Sequence, residues 1–250
     1  MTRKIDNVPR EVFDTSKSKR RKYQDLAVGQ LGLWALIKYE FIITLASPLP
    51  GALGLFLRSR LYPLLLGECG RNVFFGSNVT LRHPHKIKIG NNVVIDDGCV
   101  LDAKGSSNIG ITIGSDVFIG RQTSINTKDG DIVLDDGVNI GAFCMLFSAS
   151  HVRCGTNTLI AAYTYLVGGD HDMTSTDSAI VSQDRPSTGI TVGSSGWIGT
   201  GVSILDGVCI GHDVVIGANS VVTNDLEDFA VAVGSPAVVK RVRQPPPTSS

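Results

Sequence analysis

The chain has 250 residues with hydrophobic content of 42%, charged content of 18% and 28 glycines, which suits one repeat domain and a modest appendage better than two ordinary globular domains. Its 23 basic and 23 acidic side chains cancel, so no global field argues for nucleic acid. Five cysteines with no metal-type CxxC pair read as buried thiols in a reducing compartment.

Residues 1–25 are polar and end in a basic cluster, Lys17, Lys19, Arg20, Arg21 and Lys22, with little to bury; they read as a flexible arm. Nothing in this arm has the pattern of a secretory signal, so the cytoplasm is the expected compartment. Residues 26–68 are apolar, but Pro48, Pro50, Gly51 and Gly54 break the second run, which argues against a spanning helix. Two readings fit this segment. Short helices could lie in a membrane interface with Trp34, Tyr39 and Tyr62 at headgroup level, or they could cap the open end of the domain that follows. A cap that presents one apolar face outward satisfies both.

Within residues 69–233 a six-residue rhythm takes over. Ile89, Ile95 and Leu101 are six apart, as are Ile113, Ile119 and Ile125, and again Leu134, Ile140 and Leu146. A second column of small or β-branched residues accompanies them at Val93, Cys99, Val117, Thr123, Val138 and Cys144. Each hexad is too short for a helix and carries a glycine or Asp-Gly turn, so it predicts a short strand and a corner, stacked in a parallel β-solenoid. The glycine after each aliphatic is expected to supply conformational freedom at the corner. The phase slips around Lys104 to Asn108, around Lys128 to Gly130, and over the polar stretch Thr174 to Gly189; the last of these reads as a functional loop. The cleanest repeat follows it, with Val192, Ile198, Ile204, Ile210, Ile216 and Val222 recurring without a break. Residues 234–250 form a C-terminal tail whose last seven residues include three prolines.

Three motifs in this region, TrpIleGlyThrGly at 197–201, IleGlyAlaAsnSerValValThrAsnAsp at 216–225 and GlySerProAla at 234–237, resemble those of hexapeptide-repeat acyltransferases. The likeness is to the sugar O-acetyltransferase branch that includes the galactoside, maltose and xenobiotic acetyltransferases. It implies an all-β, left-handed parallel β-helix, a homotrimer, and acetyl-CoA sites between adjacent subunits. It also implies that Trp197 lines the acceptor side, that Thr200 and Ala218 touch the pantetheine arm, and that Thr223 and Arg241 lie near the adenosine phosphates. Relatives often carry a basic residue directly after ProAla; here Val238 stands there, and Lys240 is the substitute expected for that contact.

Acetyl transfer to a hydroxyl needs a base, donors for the tetrahedral oxyanion and a groove that aligns both substrates. His171, in GlyGlyAspHisAsp, stands where the family places its catalytic histidine, and Asp170 or Asp172 could fix its tautomer. His151 is a second candidate, as an acceptor-side residue. His83 and His85 could simply be exposed, and His212 occupies a routine exposed hexad position.

The expected activity is therefore acetyl-CoA-dependent O-acetylation of a sugar or glycan in a surface-polysaccharide or glycolipid pathway, with no metal, and with peripheral membrane association through the apolar segment. N-acylation of an amino sugar is the nearest alternative. A γ-type carbonic anhydrase or a non-catalytic scaffold would share the fold, but no two histidines here show the short intercoil spacing of a shared zinc site.

Overall fold

The computed structural model describes residues 15–170, 176, 177, 179, 180, 183 and 186–244. Its body is an all-β left-handed parallel β-helix of about eight turns, preceded by a short helical region. Each turn visits three sheets in order, called here faces A, B and C. The first turn contributes Glu68–Cys69, Phe74–Phe75 and Thr80–Arg82, and the seventh contributes Cys209–Ile210, Val215–Ile216 and Val221–Val222.

The hexad aliphatics become interior columns because every strand pairs in parallel and in register with the strand one turn later. On face A the column runs Ile89, Ile113, Leu134, Cys154, Val192, Ile210. On face C it runs Leu81, Leu101, Ile125, Leu146, Leu166, Ile204, Val222. All these side chains are buried. Each is worth about 1.5–3 kcal/mol of burial if large and aliphatic. The smaller column is buried with them, at Val93, Cys99, Val117, Thr123, Val138 and Cys144.

The hexad glycines serve a purpose other than the one expected. At the corners, left-handed backbone falls mostly on non-glycine residues, such as Asn78, Gln122, Phe143, Tyr163 and Asn219. The glycine after the aliphatic is required by close approach instead. A Cβ on Gly141 would lie 2.6 Å from the backbone nitrogen of Ala162 in the next turn, and one on Gly199 would lie 2.7 Å from that of Ala218. Side chains then sew the turns together. Asp97 Oδ1 accepts from Ser77 N at 2.6 Å, Asp136 Oδ1 from Ser115 N at 2.6 Å, and Asp228 Oδ1 from His212 N at 2.7 Å.

Three helices close the N-terminal end. α1 (Lys19–Tyr23) is followed by a π-helical turn, Gln24–Val28, then by α2 (Leu33–Ala46) and α3 (Gly51–Leu61). The end of the expected flexible arm is thus helical, and Asp25 binds both Lys17 at 2.8 Å and Arg21 at 3.1 Å. Tyr39 and Tyr62 point into the protein rather than toward a headgroup layer. The Tyr39 hydroxyl donates to Leu81 O at 2.8 Å and the Tyr62 hydroxyl to Val79 O at 3.3 Å. Arg58 is 3% exposed and donates to Phe75 O, Ala46 O and Leu49 O, clamping the helices onto the first turn. His83 is buried as well, with Nε2 3.0 Å from Asp25 O and Nδ1 3.4 Å from Asp102 Oδ1, so it is a tie between cap and solenoid.

At the other end the chain does not run out into a tail directly. Val238–Val242 returns antiparallel to Ala230–Val233 and adds a ninth strand to face B. The intervening GlySerProAla contains a cis Ser235–Pro236 bond, and Ala237 N donates to Val221 O at 2.7 Å.

Candidate active site

The three phase slips of the sequence all fall at the corner between faces C and A. The longest of them leaves the solenoid after Tyr165–Gly168 and returns to Ile190–Val192. Its two legs are fastened to each other and to the turns on either side. Asp170 N donates to Pro186 O at 3.2 Å, and the buried Ser187 hydroxyl donates to Gly168 O at 3.2 Å while lying 2.8 Å from the Ser150 hydroxyl. Asp206, one turn on, accepts from Thr188 N at 2.7 Å and Gly189 N at 2.8 Å. Its two ends are thus held close together, and a long connection anchored in this way on a rigid scaffold is suited to a functional role.

His171 and Asp172 lie outside the described residues; in the chain they follow directly on Asp170, at the outgoing leg. His151 stands at the returning leg. It is the exposed first residue of His151–Cys154, with Nε2 3.4 Å from Thr191 Oγ1. Its ring packs over Gly189, which has φ +98° and no room for a side chain: a Cβ there would meet His151 Cε1 at 2.5 Å. Of the site candidates, His151 and Asp170 are thus on the two legs of this corner. An imidazole paired with a carboxylate has the chemistry of a general base with a tautomer-fixing partner.

The coenzyme candidates lie elsewhere on the prism. Trp197 is 54% exposed on face B, in register with Leu159 and Val215. Thr200 is at the corner between faces B and C, where its hydroxyl donates to Ala162 O at 2.7 Å. Ala218 is exposed at the same corner one turn on, so a track of small residues, Gly199, Gly217 and Ala218, runs along that edge. Lys240 and Arg241 are exposed on the last strand of face B. Thr223 is apart from these, at the C–A corner, its hydroxyl accepting from Asn224 Nδ2 at 3.0 Å. A track of small residues suits the backbone-contacted arm of coenzyme A, and exposed cations suit its phosphates. Within one chain, face C separates this track from the loop corner.

The remaining histidines do other work. His212 is exposed, and its Nδ1 is 2.8 Å from the Ser194 hydroxyl. His85 is half-buried, and burial pushes its pKa below the ordinary imidazole value. Among the described residues no group of three or more His, Cys, Asp or Glu side chains is arranged to hold a metal ion. Sequence reasoning missed the Ser150, Ser187 and Asp206 clasp. The signal was present: Asp206-Gly207 follows Ile204 as Asp136-Gly137 follows Leu134, and both aspartates accept backbone N–H groups of the preceding turn.

No family model matches the chain. It is 30% identical over 165 residues to a probable acetyltransferase of Mycobacterium tuberculosis, covering 64% of this chain and 55% of that protein. It is 33% identical over 134 residues to WcaF of Escherichia coli, assigned as an acetyltransferase of colanic acid biosynthesis, covering 54% of this chain and 70% of WcaF. With the dTDP-4-amino-4,6-dideoxy-D-glucose acyltransferase of Escherichia coli it shares 30% identity over 172 residues, covering 67% of this chain and 78% of that enzyme. Among solved structures, a mutant of AntD, an N-acyltransferase from Bacillus cereus in complex with dTDP and coenzyme A, superposes with a TM-score of 0.53 at 24% identity over 75% of this chain and 89% of AntD. At that identity the likeness is one of fold.

Proposed function

We propose, because this chain belongs to the hexapeptide-repeat acetyltransferase family, that it transfers an acetyl group from acetyl-CoA to a hydroxyl of a sugar or glycan in surface-polysaccharide or glycolipid synthesis. The observation that carries the chemistry is the pinned loop at the C–A corner, which puts Asp170 at its outgoing leg and His151 at its returning leg. His171 acts as general base toward the acceptor hydroxyl. Asp170 or Asp172 accepts a hydrogen bond from its other ring nitrogen, and His151 and Trp197 contact the acceptor. Acetyl-CoA supplies the acyl group, held along Thr200 and Ala218 with Thr223, Lys240 and Arg241 toward its phosphates. Attack is direct: the acceptor oxygen bonds to the acetyl carbon as its proton passes to His171, the thioester C–S bond breaks, and coenzyme A leaves as a thiolate that takes up a proton to give the free thiol, so no acyl-enzyme is needed.

Because the coenzyme track and the loop corner are on opposite edges of face C, one chain does not bring them together. A homotrimer does so by setting the track of one subunit beside the loop of the next. The apolar surface on face B supports such packing: Phe74, Phe118, Leu159 and Trp197 are all exposed along it. The enzyme works in the cytoplasm at the inner face of the membrane.

His171→Ala should abolish turnover while leaving coenzyme A binding, read by calorimetry, nearly intact. Retained turnover removes His171 from the base role, and failure to bind coenzyme A at all favours a scaffold. N-acylation is the second reading, favoured by the likeness to the amino-sugar acyltransferase. Paired assays on a sugar and its amino analogue separate the two.

A further inference from the structure

We propose that the helical cap docks on an anionic lipid bilayer, with α2 lying along the surface. This names the partner for the inner-face location proposed above and rests on that location, not on the acetyl-transfer chemistry.

α2 carries apolar residues on every side, interrupted by the exposed Lys38 and Glu40, a composition closer to a helix buried on all sides than to one with a polar outer face. The solenoid covers only one side of it. Tyr39, Ile42 and Ala46 are buried against the first turns, whereas Trp34, Ile37, Phe41 and Leu45 form a line on the other side, exposed by 83%, 46%, 63% and 41%. Leu53 and Phe56 of α3 and Leu64 after it are also more than half exposed, and Lys38 Nζ ties α2 to this second group by donating to Leu64 O at 2.6 Å. Soluble monomers seldom expose contiguous apolar patches beyond a few hundred Å².

Charge selects the occupant. Residues 15–66 carry eight basic side chains and two acidic ones, while residues 67–250 carry 12 basic and 18 acidic. Both acidic groups of the cap are already engaged, Asp25 by Lys17 and Arg21, and Glu40 by the Tyr23 hydroxyl. Lys19, Arg20 and Arg21 are exposed on α1, whose Tyr23 reaches Glu40 of α2, and the Arg60 guanidinium lies 5.5 Å over the Phe56 ring. An apolar face with an aromatic at its edge and a cationic border fits anionic headgroups over acyl chains. A second cap set against it would oppose like charges. No single helix among the described residues is long and apolar enough to cross a membrane; α1 with its π-helical turn and α2 reach that length and composition only as a pair bent by 61°.

The test uses the full chain carrying Trp197→Phe, which leaves Trp34 as the sole tryptophan of the two. It is mixed with vesicles of phosphatidylcholine alone or of phosphatidylcholine with phosphatidylglycerol. Binding by sedimentation should be at least about tenfold tighter on the anionic vesicles, with a blue shift of Trp34 emission. In the unaltered chain, Trp34→Ser with Phe41→Ser, and separately Lys19→Glu with Arg20→Glu, should each weaken binding by about the same factor. Equal binding to both vesicle types, or no binding to either, overturns the proposal. So does a change in oligomeric state on Trp34→Ser with Phe41→Ser, which would assign the face to a second copy. None of these readouts depends on turnover, so the unaltered chain, if inactive yet bound to vesicles, would fail the acetyltransferase reading alone.

Discussion

Between faces A and B, and between faces B and C, each of the seven full turns uses four residues to round the corner. Between faces C and A the number is four after Arg82, eight after Asp102, three after Thr127, two after Ser148, 21 after Gly168 and four again after Ile204. The difference has a physical cause. At the B–C corner the turns are in backbone contact, and in the second to fifth turns a short side chain donates to a carbonyl of the next turn. Cys99 Sγ reaches Gly120 O at 3.2 Å, Thr123 Oγ1 reaches Gly141 O at 2.9 Å, Cys144 Sγ reaches Ala161 O at 3.2 Å, and Thr164 Oγ1 reaches Gly199 O at 3.2 Å. An inserted residue there would strand buried polar groups in two turns at once. Chain is ejected between faces C and A with the ladders on both faces kept, and the candidate base lies in the longest ejected segment. Stability and activity should therefore separate by corner.

The largest effect expected is at the loop corner. His171→Ala should lower turnover by about 10²- to 10⁴-fold, the usual range for a general base, without moving the melting temperature. Loss of stability in parallel with activity would mean that this corner, too, is structural. The converse variant is Gly141→Ala at the B–C corner, whose new Cβ would lie 2.6 Å from Ala162 N. Denaturant unfolding should show a loss of about 1–3 kcal/mol, as for overpacked sites. Activity per folded molecule should hardly change; a specific loss of turnover would break the separation.

Asp206→Asn tests the boundary between the two regimes. The carboxylate accepts from Thr188 N and Gly189 N, which anchor the returning leg. Weakening those bonds should cost about 1 kcal/mol of stability. The larger readout should be kinetic, with kcat/KM reduced several-fold as the loop loses its register. Unchanged kinetics would show that the clasp plays no part in setting the site.

The rule for the two invariant corners was legible in the sequence, because Val192, Ile198, Ile204, Ile210, Ile216 and Val222 are the ladder itself written at six-residue spacing. The reason for the hexad glycines was not, since the Gly141 to Ala162 contact is between turns 21 residues apart in the chain. The handedness came from family resemblance, because a repeat length fixes the number of sides but not the sense of winding. Tyr39 and Tyr62 misled because an aromatic with a polar tip suits a lipid headgroup and a buried backbone carbonyl equally well. His83 misled in the same way, because its partners, Asp25 O and Asp102, are distant in sequence. The Asp170 and His151 neighbourhood was legible only in part, because it depends on a serine and aspartate clasp drawn from three turns.

The smallest effect, and the most local probe of the comparison, is thiol reactivity. The chain has five cysteines, of which Cys99 and Cys144 bridge turns at the B–C corner, Cys154 is on the face A column, Cys69 is half-buried and Cys209 is exposed. Burial pushes Cys99 up to about 11 and Cys154 up to about 12, and raises Cys144 and Cys69 as well. A raised thiol pKa favours the neutral form, so at pH 8 only on the order of 10⁻³ of Cys99 would be thiolate even if reagent reached it. Titration with a disulfide reagent at pH 8 should find Cys209 reacting at once and Cys69 more slowly. The three interior thiols should appear only on denaturation. Turns that opened freely at the B–C corner would give Cys99 and Cys144 up in the native state at a rate near that of Cys209, and a corner that opens so easily could not be the rigid wall against which the loop corner positions a base.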